Sequence, residues 1–186
     1  MLYKTARNLA KLVINIRFKV KVRGQENIPD GACILAMNHT SNFDPLFVGS
    51  YTPRKMNIMA KEELFKSKFG SYALRDFGAF PVKRGEADLK SLKHTLKLLK
   101  NGELFAIFFE GTRSKTGEIQ DPKKGIGFIA AKSKAPVVPT YIYGTKNGWF
   151  QKAGVIFGEP ITFEEGISYE EIALKMKEEI EKLKNA

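Results

Sequence analysis

Cysteine and histidine are scarce in this sequence of 186 residues, which contains one cysteine, Cys33, and two histidines. A single cysteine excludes a disulfide within the chain, and so few sulfur and imidazole ligands exclude the usual structural zinc site. We therefore expect neither a metal centre nor a cofactor. The cysteine content also suits a reduced, cytoplasmic setting.

Long apolar runs are also missing. No stretch reaches the roughly 18 to 20 apolar residues that a helix needs to span a bilayer. Near the N-terminus, Lys4, Arg7 and Lys11 interrupt the apolar residues, so this segment lacks the uninterrupted apolar centre of a secretory signal. The sequence predicts a chain that neither spans a membrane nor is secreted.

Acidic residues are outnumbered by basic ones, 20 to 31, which gives a formal net charge of +11. This balance favours acidic partners, which include anionic membranes, nucleic acid, phosphorylated substrates and acidic carrier proteins. The charge alone does not choose among these classes.

Residues 2–16 have the period of an amphipathic helix, and the segment 1–23 carries seven basic residues and no acidic one. The apolar positions fall on one broad face: Leu2, Tyr3, Ala6, Leu9, Ala10, Val13 and Ile16. An apolar face opposite Lys and Arg is typical of helices that lie in a membrane interface. We predict a membrane-contact helix over 1–18 and a folded domain over 19–186. The alternative is a helix that packs on the domain's own core.

Strands and helices alternate along the rest of the chain. Strands are predicted at 18–23, 32–37, 57–60, 79–83, 104–109, 137–143 and 155–157, the last at a sheet edge, with helices at 45–50, 62–77, 87–101, 126–133 and 169–183. The central strands are apolar throughout, which indicates a single α/β domain with a mixed, mostly parallel sheet flanked by helices. Functional groups of such folds gather beyond the carboxyl ends of the strands.

His39 follows one of these apolar strands, and Asp44 lies five residues later in a polar loop. A carboxylate that accepts from one imidazole nitrogen fixes the tautomer and leaves the other nitrogen free as a base. We therefore predict His39 and Asp44 as a catalytic pair. The spacing alone is weak evidence, because an aspartate before Pro45 also suits a helix N-cap. His94, within the lysine-rich helix 87–101, is predicted to be an ordinary solvated residue.

Two further polar segments follow predicted strands and carry cations. Lys83-Arg84-Gly85 suits a phosphate, although ordinary surface charge explains it equally well. In Glu110-Gly111-Thr112-Arg113-Ser114, Arg113 can bind a phosphate through two parallel hydrogen bonds, and Gly111 lets the backbone come close. For Glu110, a structural ion pair and a direct contact with substrate are both open.

These blocks, in this order, resemble the lysophosphatidate/glycerol-phosphate acyltransferase family. Asn38 to Asp44 resembles its block of a histidine, four residues and an aspartate, and the later blocks correspond to Gly78 to Arg84, Phe109 to Ser114 and Val137 to Pro139. Four blocks in order across residues 25–162 are much more specific than any one of them. One departure is Phe109, where bacterial members usually carry proline before the glutamate.

The resemblance implies a glycerol-3-phosphate acyltransferase-like fold, with residues 19–186 as the acyltransferase domain. It implies transfer of a fatty acyl group from acyl-ACP or acyl-CoA to the sn-2 hydroxyl of 1-acyl-glycerol-3-phosphate. His39 would be the general base supported by Asp44, and the substrate-binding residues would be Lys83, Arg84, Glu110, Gly111, Thr112 and Arg113. The expected partners are lysophosphatidate and an anionic membrane at the cytoplasmic face of the cell, without nucleic acid.

Two alternatives stay open. The acceptor is either lysophosphatidate or another lipid, such as a lysophospholipid or an ornithine-type lipid. A non-catalytic protein that binds anionic membrane or nucleic acid would explain the charge, but not His39, Glu110 and Arg113 at strand ends. Acceptor-dependent release of thiol from acyl-coenzyme A discriminates an enzyme from a binding protein.

Overall fold

The computed structural model describes residues 2–83 and 88–186. The helices are α1 (Leu2–Arg17), α2 (Asp44–Tyr51), α3 (Lys68–Asp76), α4 (Leu89–Lys100), α5 (Lys124–Ser133) and α6 (Tyr169–Asn185). The strands are β1 (Phe18–Arg23), β2 (Cys33–Met37), β3 (Met56–Lys61), β4 (Ala79–Val82), β5 (Leu104–Phe108), β6 (Val137–Tyr143) and β7 (Gln151–Phe157).

The strands form one sheet in the order β1-β7-β6-β2-β5-β3-β4. The five strands from β6 to β4 in this order are mutually parallel, whereas β7 is antiparallel to β6 and β1 is parallel to β7. The predicted α/β domain with a mixed, mostly parallel sheet is therefore confirmed. The prediction of an edge strand at 155–157 is wrong, because β7 begins at Gln151 and β1 pairs with its outer side.

Side chains of the strands alternate between two faces and build a separate core on each. In β2 the odd-numbered residues face a core shared with α1 and α2, and the even-numbered residues face a core shared with α4, α5 and α6. All five residues of β2 are buried, which explains its continuous apolar sequence.

The predicted helix over 62–77 is divided, but not at Gly70 as the sequence suggested. A short 3-10 turn covers Glu62–Phe65, and α3 begins at Lys68. Ser67 sets this boundary because its hydroxyl accepts a hydrogen bond from the N–H of Gly70 and caps the helix. Gly70 is therefore part of the first turn of α3 and does not break the helix.

Helix α1 confirms the helical prediction, but its apolar surface is divided. Ala10 and Ile14 are buried in the core, and Arg7 donates to the backbone oxygens of Thr52 and Pro53 at the carboxyl end of α2. Among the described side chains of α1, four apolar ones stay exposed: Leu9, Leu12, Val13 and Ile16. Among the described residues, no helix is both long and apolar enough to cross a bilayer.

The segments that matter for function lie together at the end of the sheet where the central parallel strands finish. This end is called the carboxyl edge below. The carboxyl ends of β2, β5 and β6 meet there, since Met37 is the register partner of Phe108 and Thr140. The first residues of β1 and β7 reach the same edge, because β7 is antiparallel to β6 and Tyr143 pairs with Gly154. The C-terminal end of α1 is therefore near the loops that follow β2 and β6.

Candidate active site

His39 and Asp44 lie in direct contact at the carboxyl edge of the sheet. Nδ1 of His39 is 2.8 Å from Oδ2 of Asp44, and both residues are buried. The imidazole stacks on the ring of Phe108 at a centroid distance of 3.7 Å, on the side of the sheet that α1 and α2 cover. Nε2 of His39 makes no hydrogen bond to any described residue. The pair is thus arranged so that one imidazole nitrogen is fixed and the other is free.

The carboxylate of Asp44 is held from the loop before it. Its Oδ2 accepts hydrogen bonds from the backbone N–H groups of Thr40 at 2.7 Å and Ser41 at 2.8 Å, in addition to the contact with His39. The alternative in which Asp44 serves as an N-cap is wrong, because Asp44 is the first helical residue of α2 and Phe43 precedes it without a side-chain cap. The tight loop turns the carboxylate back toward His39.

Thr145 completes the environment of Asp44 and was not among the site residues predicted from the sequence. Its buried hydroxyl donates to Oδ1 of Asp44, and its backbone oxygen accepts from the hydroxyl of Ser41. Gly144 makes this position possible: it has φ +74°, and a Cβ there would lie 2.0 Å from the backbone oxygen of Lys152. The available signal was a polar residue after a glycine at the end of β6.

Glu110 and Ser114 hold the backbone of His39 from the loop that follows the neighbouring strand β5. Oε1 of Glu110 accepts from the N–H of His39 at 3.0 Å, and the N–H of Ser114 donates to the oxygen of His39 at 2.8 Å. Asn38 adds a third attachment, since its side chain makes hydrogen bonds with both the N–H and the oxygen of Ile142 in β6. The histidine is therefore fixed by the strands on both sides of β2.

Glu110 is only 2 % exposed, and burial raises the pKa of its carboxyl group to about 7, although the N–H of His39 donates a hydrogen bond to this group. Its second oxygen, Oε2, is buried without a partner among the described residues, and no described cation forms a salt bridge with it. The predicted structural ion pair for Glu110 is thus not observed. Glu110 instead accepts a hydrogen bond from the backbone N–H of His39 and so helps to hold the histidine in place.

Gly111 and Phe109 shape the turn around Glu110. Gly111 has φ +74°, and a Cβ would meet the side chain of Lys123 at 3.1 Å, so glycine suits this position. Phe109, which stands where related bacterial sequences usually have proline, is fully buried, and its N–H donates to the oxygen of Met37 at 3.1 Å. Proline could not make this bond, so the turn here includes one more link between β5 and β2 than a proline would allow.

The predicted cations do not converge on one point in this structure. Arg113 and Thr112 are exposed in the loop after β5, and Arg113 makes no hydrogen bond or ion pair within the described ranges. Lys83 is exposed at the end of β4, which β3 separates from β5. Arg84 and Gly85 lie outside the described residues. Arg113 is the predicted phosphate ligand that shares a loop with the groups holding His39.

The second histidine, His94, and the single cysteine, Cys33, lie away from the site around His39. His94 is exposed, as predicted, and its ring packs against Phe80 at 4.7 Å. Cys33 is completely buried in β2, and burial raises the pKa of its thiol. In the part of the chain that the structure describes, no serine or cysteine forms a hydrogen bond with Nε2 of His39, and no cluster of acidic, histidine or cysteine side chains could hold a metal ion.

Few backbone N–H groups of the loop from His39 to Asp44 are free to hold a developing oxyanion. The N–H groups of His39, Thr40 and Ser41 are bound to carboxylates, and those of Phe43 and Asp44 are bound to the hydroxyl and backbone oxygen of Ser41. Within this loop, the N–H of Asn42 has no acceptor among the described residues. Among the described backbone groups from His39 to Asp44, the N–H of Asn42 is therefore the one that could hold an oxyanion.

Fold and geometry together define an enzyme-like site, in which a carboxylate-bound histidine lies at the carboxyl edge of a parallel sheet. Comparison with known proteins identifies the family. The sequence profile named Acyltransferase matches residues 19–143, and the chain belongs to this family. The resemblance drawn from the four sequence blocks is therefore confirmed.

Named relatives agree with this assignment. The 1-acyl-sn-glycerol-3-phosphate acyltransferase of Bacillus subtilis (strain 168) is 37% identical over 166 residues, which cover 86% of this chain and 82% of that protein. The chloroplastic enzyme BAT2 of Brassica napus has the same description and is 33% identical over 132 residues. The matched residues cover 69% of this chain and 38% of that protein. The crystal structure of the 1-acyl-sn-glycerophosphate (LPA) acyltransferase PlsC from Thermotoga maritima superposes with a TM-score of 0.81, at 28% identity, over 99% of this chain and 80% of that one.

Proposed function

We propose that this acyltransferase moves a fatty acyl group from acyl-ACP or acyl-CoA to the sn-2 hydroxyl of 1-acyl-glycerol-3-phosphate and so produces phosphatidic acid for phospholipid synthesis. The observation that carries the proposal is the buried pair of His39 and Asp44 with Nε2 unoccupied. The descriptions of the relatives from Bacillus subtilis and Thermotoga maritima support the choice of acceptor.

The chemistry assigned to His39 is direct proton removal. Nε2 takes the proton from the acceptor hydroxyl while its oxygen attacks the carbonyl carbon of the thioester. The tetrahedral intermediate collapses as the C–S bond breaks, and the thiolate leaves as a stable anion that takes up a proton from the imidazolium or from water. Asp44 keeps the imidazole in one tautomer and stabilises its charged form. No covalent intermediate on the protein is needed.

The lipid phosphate is assigned to the cations at the same edge of the sheet. Arg113 has an exposed guanidinium free of described partners and can bind a phosphate with two parallel hydrogen bonds. Thr112 offers a hydroxyl in the same loop, and Gly111 and Glu110 set the turn that carries both. Lys83 and Arg84 contribute positive charge from the end of β4 in this proposal.

We place the enzyme at the cytoplasmic face of the cell membrane, as a peripheral protein. Support comes from α1, which packs on the domain through Ala10 and Ile14 and yet leaves four apolar side chains in solvent. A stripe at positions 9, 12, 13 and 16 has the spacing of one helix face, and the net charge of +11 complements anionic lipid.

A donor-by-acceptor matrix tests the proposal. Release of thiol from acyl-coenzyme A or acyl-ACP is followed with a thiol reagent, with and without 1-acyl-glycerol-3-phosphate, another lysophospholipid or an ornithine-type lipid, in the presence of vesicles. We expect release that depends on 1-acyl-glycerol-3-phosphate. Release only with another acceptor would replace the proposed substrate, and no release with any acceptor would contradict the proposed activity.

The two histidines of the chain, His39 and His94, allow a matched test of the mechanism. His39→Ala should abolish transfer, with a loss of at least about a hundredfold, because general base catalysis contributes roughly two to four orders of magnitude. His94→Ala removes the other histidine, which is exposed on α4, and should leave transfer unchanged. A folded His39→Ala variant with near-normal turnover would exclude the proposed base.

A further inference from the structure

An exposed aromatic cluster lies beside the histidine loop, apart from the stripe on α1. Trp149 and Phe150 are 56% and 65% exposed in the loop between β6 and β7, and Phe43, inside the segment from His39 to Asp44, is 40% exposed. A contiguous patch of exposed apolar side chains is typical of an interaction surface, because each aromatic side chain buried on contact contributes substantially to association. None of the three is used in the proton-transfer chemistry assigned to His39.

Arg17 joins these aromatic rings into one surface. Its guanidinium carbon lies 4.8 Å from the ring centre of Phe43, 5.1 Å from that of Trp149 and 5.0 Å from that of Phe18. Its Nε atom is buried without a hydrogen-bond partner among the described residues. The last residue of α1 therefore connects the membrane-contact helix to the aromatic loop and to the histidine loop.

The loop carries backbone strain that keeps its aromatics outward. Phe150 has φ +62°, a left-handed conformation that is unfavourable for a residue other than glycine. A hydrogen bond of 2.6 Å from its N–H to the backbone oxygen of Arg17 stabilises this conformation. In this strained segment, the rings of Trp149 and Phe150 are exposed to solvent.

The positive charges around the aromatic cluster favour an anionic partner. The segments that form most of it, 1–25 and 122–158, contain no acidic residue. Lys19 and Lys152 are exposed register partners next to the pair of Phe18 and Gln151, and Lys146 is exposed in the aromatic loop itself. Aromatic rings between lysines and arginines are typical of surfaces that enter the headgroup layer of an anionic bilayer.

We propose that Phe43, Trp149 and Phe150, clamped by Arg17, form a second membrane contact that holds the mouth of the His39 site against an anionic bilayer. The exposed stripe of α1 supplies the first contact, and two contacts on different elements fix an orientation that one helix cannot. A lipid acceptor then reaches His39 without leaving the headgroup layer. This inference rests on the proposed lipid acceptor, but its test does not require catalysis.

Trp149 is the single tryptophan of the chain and reports on the contact without a label. The intact protein is mixed with vesicles of neutral phosphatidylcholine, with or without phosphatidylglycerol, and Trp149 emission is recorded with bilayers brominated at defined acyl positions. We expect a blue shift and strong quenching by shallow bromines only with the anionic vesicles. Sedimented protein whose Trp149 emission is neither shifted nor quenched would overturn the proposal.

Two matched double variants test whether this particular surface makes the contact. Trp149→Ser/Phe150→Ser should weaken sedimentation with anionic vesicles by about tenfold or more, as expected for the loss of two interfacial aromatic side chains. Tyr169→Ser/Leu174→Ser removes two partly exposed apolar residues from α6, on the opposite side of the sheet from α1, and should change it little. Equal losses in both double variants would contradict a specific contact.

The alternative to a membrane on this aromatic surface is a second copy of the chain. Sedimentation velocity across a range of protein concentrations without lipid should show one species with constant Trp149 emission. A blue shift that follows protein concentration in the absence of vesicles would assign the surface to self-association and overturn the membrane proposal. An active enzyme with an unshifted Trp149 would contradict this inference alone, and an inactive enzyme with an immersed Trp149 would contradict the proposed function alone.

Discussion

The hydroxyl of Thr145 donates a hydrogen bond to Oδ1 of Asp44, across 101 residues of sequence. Together with the N–H groups of Thr40 and Ser41, it leaves Oδ2 of Asp44 directed at His39. Both partners are completely buried, so water cannot replace a lost donor at this point. Thr145 is thus a positioning residue for the carboxylate, which in turn positions the histidine.

We predict that Thr145→Val lowers kcat by about tenfold, because a hydrogen bond to a charged group contributes roughly 1.5–3 kcal/mol. The Michaelis constants for donor and acceptor should stay nearly constant, since Thr145 contacts the carboxylate and not the substrates in the proposed mechanism. Thr145→Ser restores the hydroxyl and should restore most of kcat. Steady-state kinetics of the two variants give this result directly.

Thr140→Val is the control for a purely structural effect. Thr140 is also completely buried in β6, and its hydroxyl donates to the backbone oxygen of Val138, away from Asp44. It should lower stability by an amount similar to Thr145→Val while kcat is retained. Equal reductions of kcat in the two valine variants would mean that Thr145 acts only through stability.

The fold and the central pair were accessible from the sequence for a physical reason. Apolar strands such as 33–37 and a histidine placed directly after one of them are local patterns, and local patterns survive folding when they agree with burial. The contact of His39 with Asp44 spans five residues, so its two partners could be recognised within one local segment. What the alternation of elements could not indicate was which strand occupies which edge, and β7 was misplaced for that reason.

Long-range contacts account for what the sequence did not reveal. The side chain of Thr145 reaches Asp44 only because β6 lies beside β2, and Glu110 meets the N–H of His39 only because β5 lies on the other side. No spacing within one segment reports such neighbours. The N-cap interpretation of Asp44 failed similarly, because two loop N–H groups and Thr145 compete successfully for its oxygens.

Glu110 gives the protein a defined pH dependence. In the folded state its pKa is raised by burial to about 7, from 4.5, so the folded protein binds a proton that the unfolded chain has already released. The stabilisation is complete below pH 4.5 and is lost as the pH rises to about 7. We expect this group to lower the free energy of unfolding by up to ~3 kcal/mol across that window.

Urea unfolding of wild type and Glu110→Gln at several pH values isolates this contribution. The amide is neutral throughout, so the difference in unfolding free energy between the two proteins should change between pH 4.5 and 7 and level off above. Glu103→Gln, just before β5, serves as the control with the same chemical change because Glu103 is not deeply buried. A pH-independent difference for Glu110→Gln would show that its carboxyl group titrates normally.

Phe109 tests the departure from the proline that related bacterial sequences carry. Phe109→Pro removes both a buried ring and the hydrogen bond to the oxygen of Met37, and we expect a loss of about 4 kcal/mol in the free energy of unfolding. Phe109→Leu keeps the N–H and should cost only about 1 kcal/mol. Denaturant unfolding measures both, and equal losses would mean that the extra backbone bond contributes nothing.

Arg113 provides the last test, which separates binding of the acceptor from chemistry. Its guanidinium is exposed and without described partners, in the same loop as Glu110, which accepts a hydrogen bond from the N–H of His39. If it binds the lipid phosphate, Arg113→Ala should raise the Michaelis constant for 1-acyl-glycerol-3-phosphate by about ten- to a hundredfold, because a charged pair of hydrogen bonds contributes roughly 1.5–3 kcal/mol.

The Michaelis constant for the acyl donor should rise much less in Arg113→Ala, and Arg113→Lys should recover only part of the loss, since lysine cannot form the two parallel bonds. Arg23→Ala removes an exposed arginine from the far end of β1, at the opposite edge of the sheet, with the same change of charge. It should leave both constants unchanged. Equal increases for donor and acceptor in Arg113→Ala would instead assign this arginine to the general positive field of the protein, which attracts any anionic substrate.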